Sequence, residues 1–110
     1  MSQNQNQNEK RVKLDLNCEV FQESLLSLDK PEAGRVLATL KKLLKMTWNQ
    51  VYRDQGLKWE KIRSVESPKG IDAVYSIRIT QSHRATAFRD GEFVRFLTVE
   101  PDHDTTYGKK

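Results

Sequence analysis

The sequence predicts an α+β fold: a two-helix hairpin packed on one face of a twisted, mainly antiparallel sheet of four to five strands. Three observations carry this expectation. A short alternating segment comes first, two amphipathic helical segments follow with almost no linker between them, and the second half is a series of strand-like runs joined by tight turn signals. Helices grouped ahead of hairpin-linked strands segregate to one face of an antiparallel sheet and leave the other face open. With 110 residues the chain can bury one core but not two, so residues 11–110 are expected to form a single domain.

The first ten residues, MSQNQNQNEK, alternate Gln and Asn with almost nothing to bury and are expected to be an unstructured lead-in. Val12, Leu14 and Leu16 then alternate with Lys13 and Asp15, the period of a half-buried strand. Asn17 is placed to cap a helix whose Phe21, Leu25 and Leu28 share one face at i, i+4, i+7. Asp29-Lys30-Pro31-Glu32 is a second helix start, with an N-cap acid, Pro in the first turn and Glu three residues after the cap. Its apolar face is Ala33, Val36, Leu37, Leu40, Leu43 and Leu44, while Arg35, Lys41, Lys42 and Lys45 fall elsewhere on the cylinder.

Beyond Trp48 the helical period is lost, and Asp54-Gln55-Gly56 reads as a loop. Leu57 to Arg63 is expected as a strand with Trp59 and Glu60 on opposite faces, and Ser67-Pro68-Lys69-Gly70 as a turn. Tyr75 to Phe88, YSIRITQSHRATAF, reads as a hairpin about Gln81-Ser82; Asp90-Gly91 is a second hairpin signal, and Phe93 to Val99 is the last strand.

Net charge is +4 and the isoelectric point about 9.3, which points to an acidic partner, nucleic acid first. The charge is unevenly spread: between Lys41 and Arg63 seven cations (Lys41, Lys42, Lys45, Arg53, Lys58, Lys61, Arg63) face two acids (Asp54, Glu60). Cys18 is alone, so neither an intrachain disulfide nor a CxxC pair is available, and a reducing cytoplasm is the expected home. No apolar run approaches the roughly 20 residues of a membrane span, and no apolar signal core opens the chain. Two histidines without a supporting Cys give no case for a metal site, and no cofactor motif is present.

Three places could carry chemistry. Ser76, Arg78 and Thr80 share one face of their strand and Arg84 and Thr86 one face of the next, so two guanidiniums on neighbouring strands could grip one phosphodiester. Spacing alone favours the plainer reading, a pair of surface or salt-bridged arginines on a solvated sheet face. Phe88 has the parity of Arg84, which calls for a bulge or for a groove with an aromatic floor. In the tail, His103 is a candidate general acid or base, with Asp104 and Tyr107 beside it; a frayed surface histidine is the plain alternative. Glu60 sits among cations that would keep it an ionised base, or pairs with Lys58 or Arg63.

The order of elements, the basic second helix, the IRITQSHRA hairpin, the DG turn and the HDxxY ending together resemble the RelE/ParE superfamily of bacterial type II toxins, from Val12 to Tyr107. Within it, the R-I-T segment followed by His-Arg is most similar to the RelE/YoeB branch. The resemblance implies the toxin of a toxin-antitoxin pair, a ribosome-dependent endoribonuclease that cuts mRNA in the A site without a metal or cofactor. Its partners would be a cognate antitoxin protein, mRNA and ribosomal RNA. By the same match Glu60 is the general-base carboxylate, Arg84 the phosphate ligand, Arg78 its supporting cation, His103 the C-terminal acid and Tyr107 the terminal aromatic. Lys58, Lys61 and Arg63 would hold the RNA or ribosomal backbone, as would Lys41, Lys42 and Lys45 on the basic helix. One departure stands out: the branch has His and Tyr adjacent at its C-terminus, whereas Asp104-Thr105-Thr106 separates them here, so His103, Asp104 and Tyr107 all stand as candidates for the acid. A non-catalytic ParE-like toxin that binds DNA gyrase and a non-catalytic RNA-binding module are the alternatives.

Overall fold

A computed structural model of the chain describes residues 7–63 and 69–101. The elements are β1 (Lys13–Asp15), α1 (Glu19–Leu26), α2 (Lys30–Leu43), α3 (Trp48–Arg53), β2 (Glu60–Lys61), β3 (Tyr75–Arg78), β4 (His83–Asp90) and β5 (Phe93–Pro101). The strands form one five-stranded sheet in the order β1-β5-β4-β3-β2. β5, β4, β3 and β2 are mutually antiparallel, and β1 alone runs parallel, against β5. The expected α+β class is what is found.

One face of the sheet is the core. Ile77, Ala85 and Val99 lie opposite one another on β3, β4 and β5, and all three join Phe21, Val36, Leu40, Leu43, Trp48 and Val51 of the helices in one buried cluster. The α1 face works as its spacing predicts: Phe21 is buried, its ring 5.1 Å from that of Phe96, a burial that contributes about 1.5–3 kcal/mol. The α2 face is narrower than expected. Val36, Leu40 and Leu43 are buried, but Leu37 and Leu44 stay half in solvent at 51% and 50% exposure.

Several local expectations are corrected. Helix α1 begins at Glu19 with Cys18 at the N-cap, not Asn17; the Asn17 N–H donates to Asp15 instead. Asp29 does stand at the N-cap of α2, yet its side chain makes no capping bond, and Glu32 turns to His83 rather than closing a capping box. A third helix was not expected: α3 is opened by a reciprocal capping box between Thr47 and Gln50. The strand expected over Leu57 to Arg63 shrinks to Glu60–Lys61, because residues 55–58 form a turn whose Lys58 has φ 48. Of the lead-in, residues 1–6 lie outside the described residues, but Gln7–Glu9 form one 3-10 turn. Ser67 and Pro68 also lie outside them.

Both hairpins are present. The β3–β4 connection is held by Thr80, whose hydroxyl accepts from the N–H groups of Ser82 and His83. In the β4–β5 hairpin Asp90 pairs with Phe93, so the loop residues are Gly91-Glu92, one step later than the sequence suggests. Gly91 takes φ 64 at the first loop position, which a Cβ would disfavour. A register shift separates Thr86, opposite Thr98, from Ala87, opposite Phe96. The bulge therefore falls at Leu97 on β5, and the Cys18 thiol donates to its carbonyl at 3.6 Å.

Candidate active site

On the second face of the sheet the register draws up two rows of polar side chains. Glu60 faces Ser76, Ser76 faces Thr86 and Thr86 faces Thr98. In the adjacent row Arg78 faces Arg84, and Arg84 faces Glu100. Directly opposed residues project from the same face, so the register places all seven on the side away from the core, although Arg78, at the end of β3, also borders a cleft with Pro31, Glu32 and Arg35 of α2.

Three arginines on this face differ in how far their charge is already met. Arg95 is met twice: its Nε donates to Asp90 at 2.8 Å and its Nη1 to Asp15. Asp90 first, then Asp15, raise the Arg95 pKa further above its ordinary value, while the Asn17 N–H and Arg95 hold the Asp15 carboxyl below its own despite some desolvation. Arg84 is met once and loosely, by a single Nη2 contact of 3.5 Å to Glu100. Its Nε is buried and has no hydrogen-bond partner among the described residues. Arg78 is exposed and makes no ion pair among them. Positive charge not yet met by carboxylates therefore rises from the β5 side of the face toward β3.

The Glu100 carboxylate is itself braced. The Thr98 hydroxyl donates to Oε2 at 2.8 Å, and the Thr86 and Thr98 hydroxyls lie 2.7 Å apart. A hydroxyl has one proton to give, so Thr86 donates to Thr98 when Thr98 donates to Glu100. Thr86 is 6% exposed, the one buried polar residue among those described.

The sequence-predicted site residues fall into three groups. Arg78 and Arg84 are brought together as expected. Glu60 shares their face but is exposed on the short edge strand β2; two strand spacings and one register step put its backbone on the order of 12 Å from that of Arg84. A substrate would have to bridge them. Lys58, Lys61 and Arg63 are exposed around the same edge. Lys41, Lys42 and Lys45 belong to a different surface, a groove of about 690 Å³ between α2 and α3 that also takes in Arg53 and Asp54. There Lys42 pairs with Asp54 at 3.2 Å; burial alone would raise the Asp54 pKa, but the Leu57 N–H and Lys42 outweigh it and hold the carboxyl low. His103, Asp104 and Tyr107 lie outside the described residues. The last described strand ends at Pro101, opposite His83 and one step beyond the Arg84–Glu100 pair.

His83 is turned to the helices: its Nδ1 lies 3.0 Å from Glu32 Oε1, tying the start of β4 to the first turn of α2. Phe88 keeps the parity of Arg84 and faces Arg95; because the bulge is on β5, the alternation of β4 is not interrupted. Glu100 and Thr98 are the functional candidates that sequence reasoning missed. Their signal was the parity of Thr98 and Glu100 on the last strand, which acquires meaning only with the register to β4. Among the described residues no three His, Cys, Asp or Glu side chains are grouped to hold a metal ion, and no helix is long and apolar enough to cross a membrane.

Known structures resemble this architecture although sequences do not: no protein-family model and no curated protein matches the chain. The archaeal RelE in a RelE–RelB complex from Pyrococcus horikoshii OT3 is 20% identical, with a TM-score of 0.55 over 84% of this chain and 94% of that one. YoeB, solved as a dimer from Staphylococcus aureus, is 18% identical, with a TM-score of 0.51 over 83% of this chain and 97% of that one. The chain has a fold of the RelE/YoeB toxin type.

Proposed function

We propose that this chain is the toxin of a type II toxin-antitoxin pair and a ribosome-dependent endoribonuclease that cleaves mRNA in the A site without a metal. The observation that carries the proposal is Arg84: a guanidinium on the central strand of the polar face, in register with Arg78, its buried Nε without a partner among the described residues. A buried donor left unmet is uncommon and calls for a reason, and a phosphate oxygen is the acceptor a guanidinium matches best.

Cleavage of RNA by its own 2′-hydroxyl needs three things. A base takes the 2′-OH proton as the oxygen attacks phosphorus, cations stabilise the charged phosphorane, and an acid protonates the departing 5′-oxygen. The product pair is a 2′,3′-cyclic phosphate and a free 5′-hydroxyl. In this assignment Arg84 holds the phosphate with Arg78 beside it, Glu60 is the base, and the acid is drawn from His103, Asp104 and Tyr107. Lys58, Lys61 and Arg63 hold the RNA or ribosomal backbone, and a cytoplasmic antitoxin restrains the toxin by covering this face.

The test is a translating extract supplied with purified protein. Cleavage within the mRNA codon at the A site, lost in Arg84→Ala and in His103→Ala, is the expected result. Intact mRNA under conditions where the protein stalls DNA gyrase, or binds RNA without cutting it, would replace this proposal with one of the non-catalytic alternatives.

A further inference from the structure

Glu100 faces Arg84, the proposed phosphate ligand, across β4 and β5. Its Oε1 lies 3.5 Å from Arg84 Nη2, while Arg84 Nε has no partner among the described residues, so the two-bond fork that Arg and carboxylate form when they fit is not made. Its Oε2 is turned to Thr98, and through Thr98 to the buried Thr86. The Thr98 hydroxyl therefore holds this carboxylate more closely, at 2.8 Å, than Arg84 does at 3.5 Å.

Resting on the assignment of Arg84 as the phosphate ligand, we propose that Glu100 is a positioning residue. It holds the guanidinium on the open face between encounters with RNA and is displaced from Arg84 when a phosphodiester arrives. Three features support the role. The pair is partly exposed, at 19% for the Arg84 side chain and 32% for Glu100, and the buried Nε becomes available only when the guanidinium turns. The phosphodiester offers two oxygens to a guanidinium whose Nε has no partner among the described residues. The threonine brace gives the displaced carboxylate an existing partner, so it is not stranded when Arg84 turns away. Arg95, clamped by two carboxylates at close range, lacks this exchangeability and is a structural cation.

An anion that competes with substrate and also orients its ligand has a distinctive signature on removal: binding tightens while turnover falls. The measurement uses the full-length protein and a short RNA made uncleavable by 2′-O-methylation, titrated by calorimetry in a double-mutant cycle. Glu100→Gln keeps the shape and an acceptor for Thr98. It is expected to tighten binding about fivefold in the wild-type background, and by less than about twofold in the Arg84→Ala background. In ribosome-dependent cleavage the same variant should show a lower KM together with a saturating rate reduced about tenfold. Glu100→Asp, which keeps the charge but shortens the arm, should tighten binding about twofold, and supplies the comparison if Glu100→Gln melts early.

Equal tightening in both backgrounds would mean a general charge effect and overturn the proposal. Unchanged affinity would overturn it as well, even if cleavage falls. If wild-type protein binds the RNA and the cycle behaves as expected while ribosomes and mRNA give no cleavage, the nuclease assignment fails and the Glu100 inference stands.

Discussion

Replacing Arg84 with alanine separates structure from chemistry at this site. In the fold the side chain contributes one ion pair of 3.5 Å to a partner 32% exposed. Such a pair is worth about 1 kcal/mol or less, and Glu100 retains Thr98 as a donor after the change. Adding the packing of the aliphatic stem, the destabilisation should be about 1–2 kcal/mol. If the same guanidinium carries the charge that develops on the phosphorane, its loss costs about 10²–10³ in rate, or roughly 3–4 kcal/mol of barrier. The assay pairs thermal melting with mapping of mRNA 3′-ends in a translating extract, across wild type, Arg84→Ala and Arg84→Lys. Lysine keeps the charge but not the planar fork, so its rate should fall between the other two. Arg84→Ala cleaving within about threefold of wild type, while melting as expected, would refute the assignment of Arg84 as the phosphate ligand.

Further expectations concern the scaffold. Thr47→Ala removes the capping box of α3 and should cost about 1 kcal/mol in chemical denaturation while leaving cleavage unchanged. Arg89→Ala removes a guanidinium lying 4.2 Å over Trp48 and bonded to Asn8, Tyr52 and the Gly91 carbonyl; a loss of about 2–3 kcal/mol is expected, with residues near Asn8 exchanging amide hydrogen faster. The Asp54 carboxyl lies below its ordinary 3.8 in the folded chain, so the stability it contributes is complete above that value and is lost as pH falls through the lower folded one. Asp54→Asn should accordingly melt lower at neutral pH and lose less on acidification, a difference read from melting curves taken down the pH scale.

The parts of the fold that local chemistry dictates were legible in the sequence, and those that depend on long-range register were not. Helix α2 could be started at the right residue because Pro31 tolerates only the first turn, even though the Asp29 cap bond is absent. Helix α3 was missed because six residues are too few to display a period; the Thr47-Trp48-Asn49-Gln50 box was its one signal. Leu57 to Arg63 reads as a strand by composition, but Asp54 accepts the Leu57 N–H and winds the segment into a turn first. Arg78 and Arg84 were identifiable as neighbours because a short hairpin fixes their register locally. The Arg84–Glu100 contact depends on the pairing of β4 with β5 and on the bulge at Leu97. The capture of Arg95 by Asp15 joins residues 80 positions apart, which no local pattern announces.

The parallel seating of β1 against β5 also governs the order in which the chain can be completed. β1 precedes all three helices and finds its only strand partner in the last strand described. A growing chain that has not yet supplied β5 has an unpaired β1, lacks Val94, Phe96 and Val99 from its core, and offers Arg84 no Glu100. Contacts so distant in sequence form late and slowly. The arginine face is therefore assembled only once β5 has been made and paired, and a chain truncated ahead of Phe93 has no Arg84–Glu100 pair.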